Sequence, residues 1–482
     1  MVTMAKKKLA DEEFCYGVGA GEDGCVDADG RSTELRPLAL SSPHTQAFHL
    51  AWLSLFACFF AAFAAPPILP ALRPALVLAP SDAPAAAVGS LSATLVGRLA
   101  MGPACDLLGP SRASGAANIL AALALAVTAV TASSPAGFVA LRFVAGLSLA
   151  NFVANQHWIS GIFAPSAVGL ANAVAAGWAN VGSAAAQVVM PLAYELVIRF
   201  GVPITVAWRF TYLLPCALLI TTGLVILAFP YDLPRGGGCG GGSKTKRSFW
   251  KVVWGGVRNY RAWVLALTYG YCYGAELIME NVAADFFRKR FHLPMEAAGA
   301  AAACFGAMNA VARPAGGVAS DAVARRYGMR GRLWLLWAVQ TAGAGLCVLV
   351  GRIGATEAPS LAATIVVMVA CAAFVQAASG LTFGIVPFVS KRSLGVVSGM
   401  TASGGAVGAI VTNRLFFSGS RYTIEEAISL TGAASLVCTL PLALVHFPRH
   451  GGMLRGATAV DDAYDDYEDD CSNDDEDYML LK

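Results

Sequence analysis

Two arginines lie inside long apolar, Ala/Gly-rich runs, and the residues around them repeat. The shared spacing is Arg-x3-Gly-x3-Asp, formed by Arg98, Gly102 and Asp106 and again by Arg313, Gly317 and Asp321. An arginine at the centre of a bilayer costs about 2.5–3.5 kcal/mol on insertion scales, so an intramembrane charge indicates a functional site. Because the charge occurs twice at equivalent places, Arg98 and Arg313 predict a paired cationic site that faces an internal cavity and holds a small anion.

The composition is that of a membrane protein. Of 482 residues, 56% are hydrophobic and 13% charged, whereas soluble domains carry about 25% charge. The apolar residues form blocks of about 20, the length that crosses a bilayer as a helix. The net charge of +3 gives no indication of nucleic acid. We find no Cys-x2-Cys pair, histidine cluster, nucleophile–base pair or phosphate loop, so neither a metal site, a cofactor nor an enzyme is predicted.

Twelve apolar runs predict twelve membrane helices, here called spans 1 to 12. They lie near 47–66, 85–104, 113–132, 136–160, 167–192, 207–229, 260–283, 297–319, 332–350, 360–388, 394–417 and 424–446. A glycine-rich, basic linker over 230–259 separates the sixth from the seventh. The sequence therefore predicts an all-α membrane protein with six-helix halves over 47–229 and 260–447. A polar N-terminal tail (1–46) and an acidic tail (448–482), too poor in aliphatic residues to fold, flank them.

Basic residues predict the orientation. They concentrate in the N-terminal tail, in the central linker and after spans 8 and 10, which places both termini in the cytoplasm by the positive-inside rule. Arg288, Lys289 and Arg290 follow span 7 on the predicted outer face and depart from this pattern. A basic outer vestibule that concentrates anions and an ordinary polar surface both remain open as explanations.

Polar residues and glycines mark two further spans. Span 5 carries Gly177, Asn180 and Gly182, and span 11 carries Gly404 and Gly408 at equivalent places. These five residues are candidates for binding the substrate. Helix packing is the alternative for the glycines, because small residues let helices approach closely in a membrane, whereas a buried amide must also find hydrogen-bond partners.

Span 7 places two carboxylates and two phenols on one face, because their spacing follows the helical period. These residues are Tyr269, Tyr273, Glu276 and Glu280. Two buried carboxylates beside a cationic site are candidates for charge pairing or for carrying protons. Phe152 of span 4 is a candidate for the opposite wall of the site.

Four segments carry a family resemblance. They are 97–106 (GRLAMGPACD), 169–182 (GLANAVAAGWANVG), 305–317 (FGAMNAVARPAGG) and 383–395 (FGIVPFVSKRSLG). They resemble the nitrate/nitrite porter family of the major facilitator superfamily, in its eukaryotic high-affinity branch, and the resemblance extends from about residue 47 to 447. It implies halves related by an axis along the membrane normal. It also implies that one arginine of span 2 and one of span 8 bind the anion, and the matching residues are Arg98 and Arg313.

The resemblance implies further roles. A tyrosine of span 7 lies at the substrate, and Tyr269 is the match. Asp106 and Asp321, with Arg112, belong to the cytoplasmic gate. The chain departs from the family pattern at Ala179, where glycine is usual, and at Ala406, where asparagine is usual, which concerns affinity more than substrate class.

These observations predict uptake of nitrate and nitrite across the plasma membrane by alternating access. A planar anion suits the planar guanidinium of arginine. Uptake against an inside-negative potential costs about 2.3 kcal/mol per charge per 100 mV, so more than one proton must accompany each anion. Nitrate/nitrite exchange, transport of another small anion, and a membrane nitrate sensor are the alternatives. The expected partners are lipid, protons and, as in some relatives, an accessory subunit with a single span.

Overall fold

The computed structural model describes most of the chain. The described residues are 26, 30–37, 43–164, 167–231, 254–390, 394–419, 421–448 and 450–456, without the side chains of Pro103, Asp106, Leu394 and Gly395. Most of the predicted linker and most of the two predicted tails lie outside them. Their predicted properties therefore stay predictions.

The N-terminal half consists of nine helical segments that correspond to spans 1 to 6. They are α1 (Pro43–Ala62), α2 (Leu69–Leu76), α3 (Asp82–Leu108), α4 (Pro110–Thr131), α5 (Pro135–Leu147), α6 (Asn151–Ile162), α7 (Val168–Arg199), α8 (Ile204–Thr211) and α9 (Leu213–Ala228). Spans 1, 4 and 6 each contain two of these segments. Proline at the start of α4 and α5 fits the first helical turn, where no backbone donor is lost.

The C-terminal half follows the same order. Its helices are α10 (Tyr260–Phe291), α11 (Met295–Ala307), α12 (Asn309–Gly354), α13 (Leu361–Phe383), α14 (Leu394–Thr412) and α15 (Ile424–Thr439). A capping box of Thr423 and Glu426 begins α15. A short antiparallel hairpin of β1 (His446–Phe447) and β2 (Gly451–Gly452) follows.

The described helices account for all twelve predicted spans. Nine helical stretches are long and apolar enough to cross a membrane, and one of them, Met295–Gly354, has 60 residues. A straight helix of that length would measure about 90 Å, three times the hydrocarbon core. Gly328, with φ 62° and ψ −151°, breaks it into spans 8 and 9. The helices α10 and α14 complete the twelve and confirm the predicted fold class.

Helix packing repeats between the halves. Span 1 packs on span 5, span 2 on span 4 and span 3 on span 6, and the C-terminal half repeats each of these pairs six spans later. The halves meet where span 5 contacts span 8 and where span 11 contacts span 2. Spans 2 and 8, which carry the two predicted arginines, therefore both lie at the interface. We call the side of the bundle that holds Pro43 and His446 the terminal face.

Candidate functional site

Arg98 lies on α3 and reaches across the interface into the other half. Its guanidinium Nη1 donates a 2.9 Å hydrogen bond to the carbonyl of Ala402 on α14. The guanidinium carbon lies 5.0 Å from the centroid of the Phe152 ring, a cation–π distance. The residue is 6% exposed, and its Nε has no hydrogen-bond partner in the described part of the chain. Arg98 therefore keeps an unused donor in a buried setting beside the Phe152 ring.

Arg313 lies on α12 and is held by a carboxylate. Its Nη2 lies 2.9 Å from Glu276 Oε2, and its Nε donates a 3.1 Å hydrogen bond to Asn309 Oδ1. Asn309 also donates to the other oxygen of Glu276, at 2.6 Å. Because the two side chains are only 3% and 0% exposed, this is a buried ion pair, and the amide of Asn309 hydrogen-bonds to both of its members.

Two stacked tyrosines connect the arginines. Arg313 lies 5.2 Å from the ring centroid of Tyr273, and Tyr269 stacks on Tyr273 at 5.1 Å. Tyr273 packs on Gly405 of α14, one turn from the Ala402 carbonyl that Arg98 contacts. The two arginines thus converge on the same part of α14. Both are nearly fully buried in this conformation, and the internal cavity predicted from the sequence stays a prediction.

The second carboxylate lies one turn from the first. Glu280 is 4% exposed, and its Oε1 accepts a 2.5 Å hydrogen bond from Ser183 of α7. Its Oε2 has no hydrogen-bond partner among the described residues. Asn180, one turn from Ser183 on α7, donates to the Ala176 carbonyl at 2.7 Å. Its side-chain oxygen is buried without a partner in that same part of the structure.

The predicted glycines are positions of close helix contact. A Cβ added at Gly408 would lie 2.0 Å from the Gly270 carbonyl oxygen, and one at Gly404 would lie 2.2 Å from that of Ala266. Gly182 meets α1 in the same way. These three pack helices within one half and do not contact the arginines. A Cβ added at Gly177 would lie 2.6 Å from the carbonyl oxygen of Asn309. Of the four predicted glycines, Gly177 alone therefore borders the Arg313 cluster, which consists of Arg313, Glu276 and Asn309.

The predicted gate residues are only partly described. Asp321 forms a 2.7 Å ion pair with Arg332, and both residues lie on α12, on either side of the Gly328 break. Arg332 also donates to the Gly384 carbonyl at 3.2 Å. The observed pairing of Asp321 is therefore internal to the C-terminal half and does not cross the interface. Arg112 is exposed at the start of α4, and the side chain of Asp106 lies outside the described residues.

The structure adds site residues that the sequence analysis missed. Asn309 hydrogen-bonds to both members of the ion pair. Its position four residues before Arg313 could have predicted this contact from the sequence, because residues so spaced are neighbours on a helix. Ser183 contacts Glu280 across the interface. A third buried arginine, Arg142 of α5, is 3% exposed. The criterion that selected Arg98 and Arg313, a charge within an apolar run, would also have found it.

Comparison with known proteins gives the class. The family model of the Major Facilitator Superfamily matches residues 51–413. Among solved structures, a bacterial homologue of the human lysosomal transporter Spinster, in an inward-facing and unoccupied conformation, superposes with a TM-score of 0.58. That match has 15% identity and covers 84% of this chain and 96% of the other, so it supports the fold alone. The fold is that of membrane transporters and not of enzymes.

Sequence relatives give the family. The chain is 79% identical to the probable high-affinity nitrate transporter 2.4 of Oryza sativa subsp. japonica, over 100% of both chains. It is 46% identical to the high affinity nitrate transporter 2.7 of Arabidopsis thaliana, over 91% of both. The protein is therefore a member of the Major Facilitator Superfamily, in the eukaryotic high-affinity branch of its nitrate/nitrite porter family. The predicted family resemblance is confirmed.

Proposed function

We propose that this protein takes up nitrate, and also nitrite, by alternating access and proton symport. It acts in the plasma membrane, with the terminal face in the cytoplasm. The observation that carries the proposal is the placement of Arg98 and Arg313. They come from different halves, are buried at the interface, and each lies against an aromatic ring. Guanidinium groups present paired donors to a planar anion, and both groups would bind it between the halves.

The charges at the site suggest how proton and anion are coupled. Arg313 is paired with Glu276, whereas Arg98 has no carboxylate within ion-pair distance among the described residues. An incoming anion would meet Arg98 directly but would compete with Glu276 for Arg313. A proton taken up from solution onto a Glu276 carboxylate oxygen removes that competitor, and Arg313 Nη2 is then free to donate to the anion. Proton binding therefore favours anion binding.

The second carboxylate, that of Glu280, can carry the second proton that anion uptake against the membrane potential calls for. One proton per anion only cancels the cost of the inside-negative potential, about 2.3 kcal/mol per charge per 100 mV, whereas a second proton lets that potential drive entry. Glu280 lies one turn from Glu276 and has a free carboxylate oxygen. We assign it the second proton. Its contact with Ser183 crosses the interface between halves, so this proton would be exchanged when the halves separate.

The relatives support the substrate. Both of those described above are named as high-affinity nitrate transporters, and the first shares 79% of its residues with this chain. The arginine spacing that predicts a small-anion site is thus found in a chain whose relatives carry that name. Their names do not state the coupling ion, which here rests on the two glutamates.

The test is nitrate-evoked current in a heterologous cell. Arg98→Lys keeps the charge and loses the planar pair of donors, and charged hydrogen bonds contribute about 1.5–3 kcal/mol. We therefore expect the KM for nitrate to rise about tenfold or more. The matched control is Arg199→Lys, at an arginine whose side chain is 73% exposed. An unchanged KM in Arg98→Lys would contradict the clamp. Phosphate that competes as well as nitrate would contradict the substrate, and uptake that is independent of protons would contradict symport.

A further inference from the structure

A third buried arginine lies away from the paired site, on the side of the bundle opposite the terminal face. Arg142 is on α5, seven residues from its start at Pro135, which is about 10 Å along the helix. Its Nη2 donates a 2.6 Å hydrogen bond to Asn281 Oδ1 of α10, and its Nη1 donates to the carbonyl of Ala62 at the end of α1. Asn281 lies five residues beyond Glu276 on α10, about 7 Å nearer that side.

The charge of Arg142 is not balanced. Its two acceptors are a carbonyl and an amide, and no carboxylate lies within ion-pair distance of it in the described part of the chain. A buried cation without a counter-ion is unfavourable in a membrane, and an anion would remove the imbalance. The situation differs from that of Arg313, which already has Glu276 as its counter-ion.

A second donor accompanies it. The hydroxyl of Tyr212, between α8 and α9, is buried and has no hydrogen-bond partner among the described residues. It interacts electrostatically with Arg142. A buried hydroxyl without a partner is rare, because it loses its bonds to water without replacement. Arg142 and Tyr212 both belong to the N-terminal half, so they would stay together when the halves separate.

The contact with Asn281 would not survive that separation. Asn281 belongs to the C-terminal half, and its amide is fixed by a 2.7 Å hydrogen bond to the Leu277 carbonyl on its own helix. When the halves part on this side, Asn281 moves away with α10 and Arg142 Nη2 loses its acceptor. Arg142 Nη2 is then left without a partner, and Tyr212 stays with it in the same half.

We propose that Arg142 and Tyr212 form a second anion-binding subsite on the external side of the paired arginines. The proposal rests on the proposed uptake of a planar anion and adds a place where it binds on entry. In the outward-open conformation the anion replaces Asn281 as the acceptor of Arg142. As the halves close, Asn281 takes back the guanidinium and releases the anion toward Arg98 and Arg313. The ligand class is a small monovalent oxyanion.

The experiment measures the initial rate of nitrate uptake at increasing external nitrate concentration, which gives the external KM. It also measures the rate of nitrate efflux at increasing internal concentration, which gives the internal KM. The variants are compared at equal surface abundance. For Arg142→Gln we expect the external KM to rise about tenfold with the internal KM unchanged, and Tyr212→Phe changes the external KM in the same direction by a smaller factor. Asn281→Ala breaks the same contact but leaves the guanidinium, and it removes the acceptor that competes with the anion. Its external KM should therefore not rise.

The outcomes separate the explanations. If Arg142 only ties the halves together, Arg142→Gln and Asn281→Ala change uptake and efflux alike, and the subsite is wrong. If Arg142→Gln fails to reach the membrane, Tyr212→Phe decides, since it removes one hydroxyl without changing shape, and an unchanged external KM overturns the proposal. If wild type shows no nitrate uptake, the proposed function fails. If wild type takes up nitrate but the external KM is unchanged in Arg142→Gln and Tyr212→Phe, the subsite is wrong and the proposed function stands.

Discussion

Replacement of Glu276 by glutamine tests the proposed coupling between proton and anion. The side chain keeps its shape and one acceptor oxygen, but its negative charge, 2.9 Å from Arg313, is removed. Breaking a buried ion pair by removing one partner costs about 3–5 kcal/mol, because it leaves a buried charge without compensation. Nitrate would supply the missing negative charge.

The expected change in nitrate affinity follows from the loss of this ion pair. If nitrate recovers only 1.4 kcal/mol of the roughly 3–5 kcal/mol, Glu276→Gln binds it about tenfold more tightly than wild type. In wild type, affinity should rise as pH falls, because protonation of Glu276 frees Arg313. In Glu276→Gln the affinity should be high and independent of pH. Transport coupled to protons should nevertheless decline, since one carrier is gone.

The assay is equilibrium nitrate binding to the purified full chain in lipid nanodiscs, from acidic to neutral pH. The control is Glu280→Gln, one turn away, where Ser183 contacts the carboxylate and no arginine of the described residues pairs with it. Its nitrate affinity at a fixed pH should stay close to that of wild type. Weaker nitrate binding in Glu276→Gln, or a pH dependence like that of wild type, would refute the competition between nitrate and Glu276 for Arg313.

Three further substitutions test the framework around the site. Gly408→Ala places a Cβ 2.0 Å from the Gly270 carbonyl oxygen, so it should lower the unfolding free energy by about 1–3 kcal/mol or more. Gly399→Ala, on the same helix with open space at that position, should leave the melting temperature unchanged. Asn118→Ala removes a buried amide that donates to Ser54 and Thr222. It should cost about 1–3 kcal/mol in thermal melts with the KM for nitrate unchanged. Arg332→Gln should slow transport at saturating nitrate without altering KM, because it loosens the break in α12 far from the anion, and a raised KM would contradict this.

The charged residues of the site could be found from the sequence because the signal is local. A charge within an apolar run is visible without knowing any contact, and its repetition in both halves identified Arg98 and Arg313. The same reasoning placed Glu276 and Glu280 on one face of a helix. It did not assign their partners. Glu276 contacts Arg313, 37 positions away, whereas Glu280 contacts Ser183, 97 positions away.

The role of the predicted glycines, in contrast, could not be found from the sequence. Gly177, Gly182, Gly404 and Gly408 were candidates for substrate contact or for helix packing, and the sequence could not separate the two. Because a glycine has no side chain, its residue type does not indicate whether it contacts a ligand or another helix. Only the position of the neighbouring helix decides its role. The structure places three of them in contacts within one half and only Gly177 beside the Arg313 cluster.

The sequence by itself determined that this chain crosses a membrane twelve times in two equivalent halves with an arginine pair, because span length, polarity and repetition are properties of the chain alone. The tertiary structure decided which charges are balanced. Arg313 has a carboxylate, Arg98 reaches a carbonyl 304 positions away, and Arg142 has only neutral acceptors among the described residues. The physical reason is that ion pairing depends on distances of a few ångströms between helices, and those distances are set by how the halves pack.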